Sequence, residues 1–495
     1  MASVYRSLAF SFVERFALIG VTLVLYVLIA RLLTPEEIGI YSVATALIAI
    51  GQVVREFGVG NFLIQEKNLT KDHIRTAFGI SFLIGGTLFV VFTLGAPWIG
   101  EFYKDERMTW IVRIVALNFL VMPFCSISLA LLRRDMQFDR LMVVNVASAI
   151  VGTTTTLTLA FAKFGPQSLA WGAIATNLVT GLGAWLARKE HRLLLPSLSE
   201  WRKVLTFGSQ SAGVAMITSV SMDINDLVVA RVLGFAPAAI ISRANGLVAM
   251  FNQQVMGAVR SVALPAFARA HRENQPLEPL YLASVTAVTA FAWPFYGFVA
   301  LHATDILRIM FGTQWDAAAP LVPIFCLASA LTATVSLALT LAIAIGRNDV
   351  ATKTDLIAQP IRAAILVAAA LIFKSLEAIA WAALLVNILS TPYFLWVKNR
   401  LLPTDKQAMR KGLMSSLVLT ITCLLVPLLC VIFIDRGNPS GMVSTLLQSA
   451  LTLIIWVLTV FWLRHPLSRD PLILKMRNKL IAIMPMAKSL LPIKE

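Results

Sequence analysis

Fourteen apolar runs, each long enough to cross a bilayer, are what this chain has to accommodate. They lie near residues 12–30, 38–62, 76–98, 109–132, 141–162, 168–187, 203–222, 237–258, 279–300, 317–345, 351–373, 376–397, 412–434 and 443–463. A spanning helix needs about 20 apolar residues, and apolar side chains make up 58% of the 495 positions, enough for all fourteen. Charged residues are 14% of the chain, against about 25% in a soluble domain, and the mean hydropathy is +0.79. A soluble enzyme, a disordered regulator and a secreted disulfide scaffold are excluded on these grounds. The runs are continuous rather than alternating, which argues against an outer-membrane barrel. The expected fold is therefore an all-α integral membrane protein with about 14 transmembrane helices.

The net charge of +16 would suggest nucleic acid in a soluble protein, but in a membrane protein the placement of the charges matters first. With the N-terminus cytoplasmic and the sides alternating, 29 Lys and Arg fall on the cytoplasmic side and 8 on the other. That asymmetry is a positive-inside signal, with both termini cytoplasmic. The segment Met1 to Ser11 carries one arginine and leads into a full-length apolar run, so the first helix is expected to stay as an anchor rather than to be cleaved. Cys125, Cys326, Cys423 and Cys430 all sit inside apolar runs at spacings that fit no zinc motif, and are read as packing residues.

The chain also repeats itself. Ala30-Arg31-Leu32-Leu33 recurs as Ala230-Arg231-Val232-Leu233, and Leu169-Ala170-Trp171-Gly172-Ala173 with Asn177 recurs as Ile379-Ala380-Trp381-Ala382-Ala383 with Asn387. The order is the same in both halves, and an even number of helices separates the copies, so the repeat is parallel. The expected domains are an N-lobe at 1–200 (helices 1–6), a C-lobe at 201–400 (helices 7–12), helices 13 and 14 at 401–465, and a basic amphipathic cytoplasmic tail at 466–495. Two six-helix lobes facing each other would leave a central cavity. A basic run, Arg188-Lys189-Glu190-His191-Arg192, joins the lobes, and the tail reads as a surface helix on anionic lipid or as a disordered basic tail.

No cofactor is implied. There is no Walker sequence, no GxGxxG after a strand, no His/Cys metal cluster and no GxSxG, and the outer loops are short. What remains is charge inside the membrane, which is costly and tends to face a cavity. Five arginines qualify: Arg15, Arg55, Arg113, Arg243 and Arg362. Arginine keeps its charge on burial and binds phosphate oxygens in a fork, which suits an anionic head group. The alternative for each is a neighbouring partner: Glu14 for Arg15, Glu56 for Arg55, Asp355 for Arg362. Arg243 has no adjacent acid and replaces Val43 of the repeat, which makes it the leading candidate. Glu14, Asp223 and Asp226 are the candidates for ion coupling, because desolvation lets a membrane carboxylate exchange a proton. A salt bridge explains Glu14 equally well, and a solvated helix end explains the two aspartates. Asn245 and Gln359, with Asn118, Asn145 and the Asn252-Gln253-Gln254 run, could bind sugar hydroxyls or simply bond between helices. Trp171 and Trp381 read as interface anchors.

Two segments carry a family resemblance. Arg31-Leu32-Leu33-Thr34-Pro35-Glu36-Glu37-Ile38-Gly39-Ile40-Tyr41 resembles the stretch after the first helix of polysaccharide transporters of the multidrug/oligosaccharidyl-lipid/polysaccharide exporter superfamily. Leu131-Leu132-Arg133-Arg134-Asp135-Met136-Gln137-Phe138 resembles the loop between helices 4 and 5 of the colanic-acid and succinoglycan-type exporters. The resemblance implies a Wzx-type flippase, not an enzyme. Such a protein carries an undecaprenyl-diphosphate-linked oligosaccharide across the bacterial inner membrane for lipopolysaccharide or exopolysaccharide synthesis, by alternating access and at the expense of an ion gradient. The implied partners are the lipid-linked oligosaccharide and membrane lipids, with a polysaccharide polymerase and a chain-length regulator as candidates and no nucleic acid. A cation-coupled drug antiporter or a lipid II flippase of the same superfamily is the alternative. An integral-membrane glycosyltransferase or polymerase would need catalytic carboxylates in a large outer loop, which the sequence lacks.

Overall fold

A computed structural model describes residues 2–56, 58–188, 195–434 and 441–462, with the side chains of 2–13, 207–215, 218, 222 and 254 left aside. The basic run at 189–192 and the tail from 466 lie outside the described residues. Every regular element among the described residues is a helix. In chain order they are α1 (Ala2–Leu32), α2 (Pro35–Glu56), α3 (Val59–Gln65), α4 (Lys71–Tyr103), α5 (Glu106–Ala116), α6 (Asn118–Arg134), α7 (Phe138–Phe161), α8 (Gln167–Ala187), α9 (Trp201–Leu233), α10 (Phe235–Phe251), α11 (Gly257–Arg272), α12 (Leu277–Leu301), α13 (Ala303–Phe311), α14 (Val322–Ala333), α15 (Ala338–Ala344), α16 (Asn348–Phe373), α17 (Leu376–Leu401), α18 (Lys406–Leu429) and α19 (Gly441–Trp462).

Twelve spans among the described residues are long and apolar enough to cross a membrane, against the fourteen expected. The other two expected spans, 203–222 and 237–258, fall on α9 and on α10. α10 is 17 residues long and gives way to a π-helical turn at Asn252–Met256, where Asn252, Gln253 and Gln254 interrupt the apolar run. Other expected spans are broken. The span 38–62 divides at Gly58, whose φ of 67° opens α3. The span 109–132 divides at Leu117, and the span 317–345 consists of a 3₁₀ turn (Thr313–Leu321), α14, a turn at 334–337 and α15.

Broken helices leave backbone groups to satisfy, and in an apolar medium the protein must supply the partners. It does so with side chains. Arg134, at the end of α6, donates from Nη1 to the carbonyls of Leu63 (2.7 Å) and Ile64 (3.2 Å), near the end of α3. Asn118 donates from Nδ2 to the Val115 carbonyl at 3.0 Å, next to the α5–α6 break. α2 begins on a capping box: Thr34 accepts from the Glu37 amide at 3.3 Å, and Glu37 accepts from the Thr34 amide at 2.8 Å, with Pro35 in the first helical position.

The chain divides into two compact units, Met1–Ala239 and Ile240–Glu495. In the first, α7 and α8 form a tight hairpin. A Cβ on Gly152 of α7 would lie 1.7 Å from Thr176 Oγ1 of α8, and one on Gly172 of α8 would lie 1.7 Å from Thr156 Oγ1 of α7. Each threonine in turn donates to the glycine carbonyl one turn back in its own helix, at 2.9 Å. This is small-residue packing, which lets two backbones approach in lipid. At the first residue of α10, a Cβ on Gly39 of α2 would meet the Phe235 carbonyl oxygen at 2.1 Å. The second unit has a matching hairpin, α16 to α17. Lys374 ends its first helix in the left-handed region (φ 46°), as Lys163 does after α7 (φ 62°). Asn387 of α17 accepts from Thr332 of α14 at 2.8 Å, much as Asn177 of α8 donates to Asn118 of α6 at 2.6 Å.

Replacing Gly152 or Gly172 with leucine is expected to destabilise the first unit by about 1–3 kcal/mol or more, the usual cost of overpacking. Thermal unfolding of the purified protein in detergent checks this. An unchanged midpoint for both variants would show that the hairpin does not depend on the close approach.

Candidate functional site

The five intramembrane arginines differ first in burial. Arg55, near the end of α2, is 1% exposed. Its guanidinium lies 3.5 Å from Ser126 Oγ of α6 and 3.6 Å from the exposed carboxylate of Glu56. The pairing with Glu56 foreseen from adjacency is present, and Ser126 adds a second helix that the sequence did not point to.

Arg243, on α10, is 4% exposed. Its guanidinium carbon sits 4.7 Å from the ring centroid of Phe311 and 4.7 Å from that of Trp315. Both rings are buried. They are placed by a chain reversal at Gly312 (φ 94°), which ends α13, and by Arg308, which grips Asp316 through Nε (2.8 Å) and Nη2 (2.7 Å). The reversal therefore folds Trp315 back beside Phe311 and offers Arg243 two aromatic faces, an attractive arrangement for a desolvated cation. The sequence argument favoured Arg243 because no acid adjoins it. Its partners are rings on a distant segment, which adjacency could not reveal.

The remaining three are more open. Arg113 of α5 is half-buried and lies 5.5 Å from the Trp110 ring centroid, with its Nε unsatisfied. Arg362 of α16 is half-buried. Gln359, one turn after Asp355, has a buried, unsatisfied Oε1. Arg15 of α1 is exposed. Glu14 beside it accepts a hydrogen bond of 2.6 Å from Asn145 Nδ2 and so ties α1 to α7.

On α9, Asp223 accepts from Ser219 Oγ at 3.2 Å, and Asp226 follows one helical turn later, so two carboxylates share one face. The Asn225 side chain between them has a buried, unsatisfied Oδ1. Asn245 is exposed on α10, and Asn252 accepts from Arg260 at 2.8 Å. Trp171 and Trp381 both have exposed rings. Taken unit by unit, the first offers Arg15, Arg55 and Arg113 with the two α9 carboxylates, and the second offers Arg243 and Arg362 with the amides of Asn245 and Gln359.

A family model described as polysaccharide biosynthesis protein matches residues 28–320. The lipopolysaccharide biosynthesis protein WzxC of Escherichia coli strain K12 is 23% identical over 320 residues, which are 63% of this chain and 64% of WzxC, less than two thirds of that relative's length. The succinoglycan biosynthesis transport protein ExoT of Rhizobium meliloti strain 1021 is 22% identical over 471 residues, 94% of each chain. Among solved structures, the lipid II flippase MurJ in an inward closed conformation superposes with a TM-score of 0.73 over 93% of this chain and 100% of its own, at 15% identity. At that identity the likeness speaks for the fold.

Replacing Arg243 with alanine is expected to lower stability by about 1–2 kcal/mol for each ring it leaves, with lysine intermediate. Thermal unfolding in detergent measures it. A normal midpoint together with lost polysaccharide output would place Arg243 on the substrate instead.

Proposed function

The chain belongs to the polysaccharide biosynthesis protein family, as its Arg31–Tyr41 and Leu131–Phe138 segments suggested, and on that premise we propose that it is a flippase for undecaprenyl-diphosphate-linked oligosaccharide. It is a multi-pass membrane protein, and we place it in the bacterial inner membrane with both termini cytoplasmic. The observation that carries the substrate assignment is the set of arginines left without a carboxylate in apolar helices. Arg113 and Arg362 are half-buried and Arg15 is exposed, and among the described residues none of the three forms an ion pair, Glu14 beside Arg15 being bonded to Asn145 instead. A diphosphate supplies the missing negative charge, and a guanidinium binds it through paired N–H donors. Asn245 and Gln359 add amide groups for the glycan. Arg55 and Arg243 hold helices together and contribute positive potential from inside their units.

Transport proceeds by alternating access, with the prenyl tail left in the bilayer. The chain carries no nucleotide-hydrolysing motif, so an ion gradient resets it. Asp223 and Asp226, one turn apart, are the coupling pair, because two neighbouring carboxylates compete for ionisation and readily take up a cation or a proton. Glu14 contributes less directly, through its bond to Asn145. The protein itself performs no chemistry on the glycan. A polymerase and a chain-length regulator act on the product after it has crossed.

The test is complementation of a strain that lacks this gene, with membrane protein levels measured alongside polysaccharide output. Arg113→Ala and Arg362→Ala should each lower output by about tenfold or more, since a lost hydrogen bond to a charged group costs about 1.5–3 kcal/mol. Lipid-linked saccharide should accumulate in the cytoplasmic leaflet. Full output from the double variant sinks the assignment, and drug resistance on overexpression without any effect on polysaccharide would favour an antiporter.

A further inference from the structure

The turn between α17 and α18 holds a second concentration of positive charge, well separated in sequence from the arginines above. Lys398 is only 1% exposed, and its ammonium lies 5.2 Å from the centroid of the buried Tyr281 ring. It donates to Asn399 Oδ1 and to Thr404 Oγ1. An ammonium has three N–H donors, so those two acceptors leave one for the space it faces.

That space is a cavity of about 430 Å³. Lys398, Lys406 and Arg410 line one end of it, the last two on a single face of α18 at a spacing of four residues. Leu395, Leu413, Met414, Leu417 and Trp293 line the rest. Two carboxylates lie nearby, Asp405 and Glu278, and Glu278 offsets part of the charge on Lys398, so the three cations still outnumber the acid that faces them. Asp405 caps α18, accepting from the amides of Gln407 (2.9 Å) and Ala408 (3.3 Å). Glu278 accepts from the Asp405 amide at 2.6 Å. Leu417 lies eleven residues after Lys406, which is roughly 16 Å along the helix axis. The cavity thus runs from a cationic mouth at the helix turn to an apolar floor at hydrocarbon depth.

We propose that this cavity between α12, α17 and α18 binds one anionic glycerophospholipid, with its phosphate on Lys398, Lys406 and Arg410 and the start of an acyl chain along Leu413, Leu417 and Trp293. The positive-inside pattern puts the α17–α18 turn on the cytoplasmic side, where anionic lipid is the abundant counter-charge at that depth. A zwitterionic lipid would bring an ammonium of its own to a mouth that already holds three cations. The occupant is a resident lipid of the second unit, and the proposal does not depend on what the protein transports.

Three probes on the purified full-length protein in detergent test it: phosphatidylglycerol, phosphatidylcholine with the same chains, and inorganic phosphate. Native mass spectrometry should retain one phosphatidylglycerol per protein, and the thermal midpoint should rise with it but not with the other two probes. The double substitution Lys406→Ala and Arg410→Ala, both on exposed side chains, should weaken phosphatidylglycerol binding about 25-fold, at about fivefold per basic residue. Lys398→Met should abolish it, and if that variant fails to fold, the double variant still decides. Equal retention of phosphatidylcholine, or unchanged phosphatidylglycerol binding by the double variant, overturns the proposal. So does displacement of phosphatidylglycerol by undecaprenyl diphosphate at a lower concentration, which would make the cavity a site for the transported lipid.

Discussion

Backbone polarity in an apolar medium is the constraint on which the structure depends. No water at bilayer depth will satisfy a free N–H or C=O, so each must find a partner within the protein. Helices solve most of the problem, and side chains solve it where helices break. Arg134 covers carbonyls near the end of α3, and Asn118 covers one at the α5–α6 junction. Trp293 and Trp456 donate to carbonyls of α14 and α12, at 2.9 Å each. Several of the polar residues in these apolar helices are therefore spoken for by the fold. That narrows the set available to a substrate.

The same constraint gives the family-like segments a physical meaning. In Arg31–Tyr41, Thr34 and Glu37 form the cap of α2, Pro35 starts it, Glu36 pairs with Arg107, and Gly39 allows the Phe235 carbonyl to approach. In Leu131–Phe138, Arg134 caps a neighbouring helix and Met136 turns the chain through a positive φ of 55°. Both segments build junctions. A motif of this kind identifies a fold and its family, and by itself says nothing of substrate.

How much was legible varies with the range of the interaction. Cap residues, the apolar runs and the Asn177/Asn387 repeat are local or periodic, and they were open to reading from the sequence. The pairing of Arg55 with Glu56 was also local. The rings beside Arg243 were not legible, because Phe311 and Trp315 come from another part of the chain, brought back by the reversal at Gly312. Gly152 and Gly172 gave no warning that they face each other's threonines, since glycine is common in membrane helices for several reasons.

Hydropathy, charge asymmetry and the two junction segments were enough, without coordinates, to establish an all-helical membrane protein of the polysaccharide-transporter kind. These properties are sums over many residues or depend on neighbours a turn away, so they survive ignorance of the packing. Tertiary structure alone decided where helices break, which polar groups the breaks consume, and which arginines remain accessible. Those outcomes depend on side chains that meet across helices more than a hundred residues apart in the chain, as Glu14 and Asn145 do. Burial in a packed helical unit is a property of that meeting, and no residue carries it in its own identity.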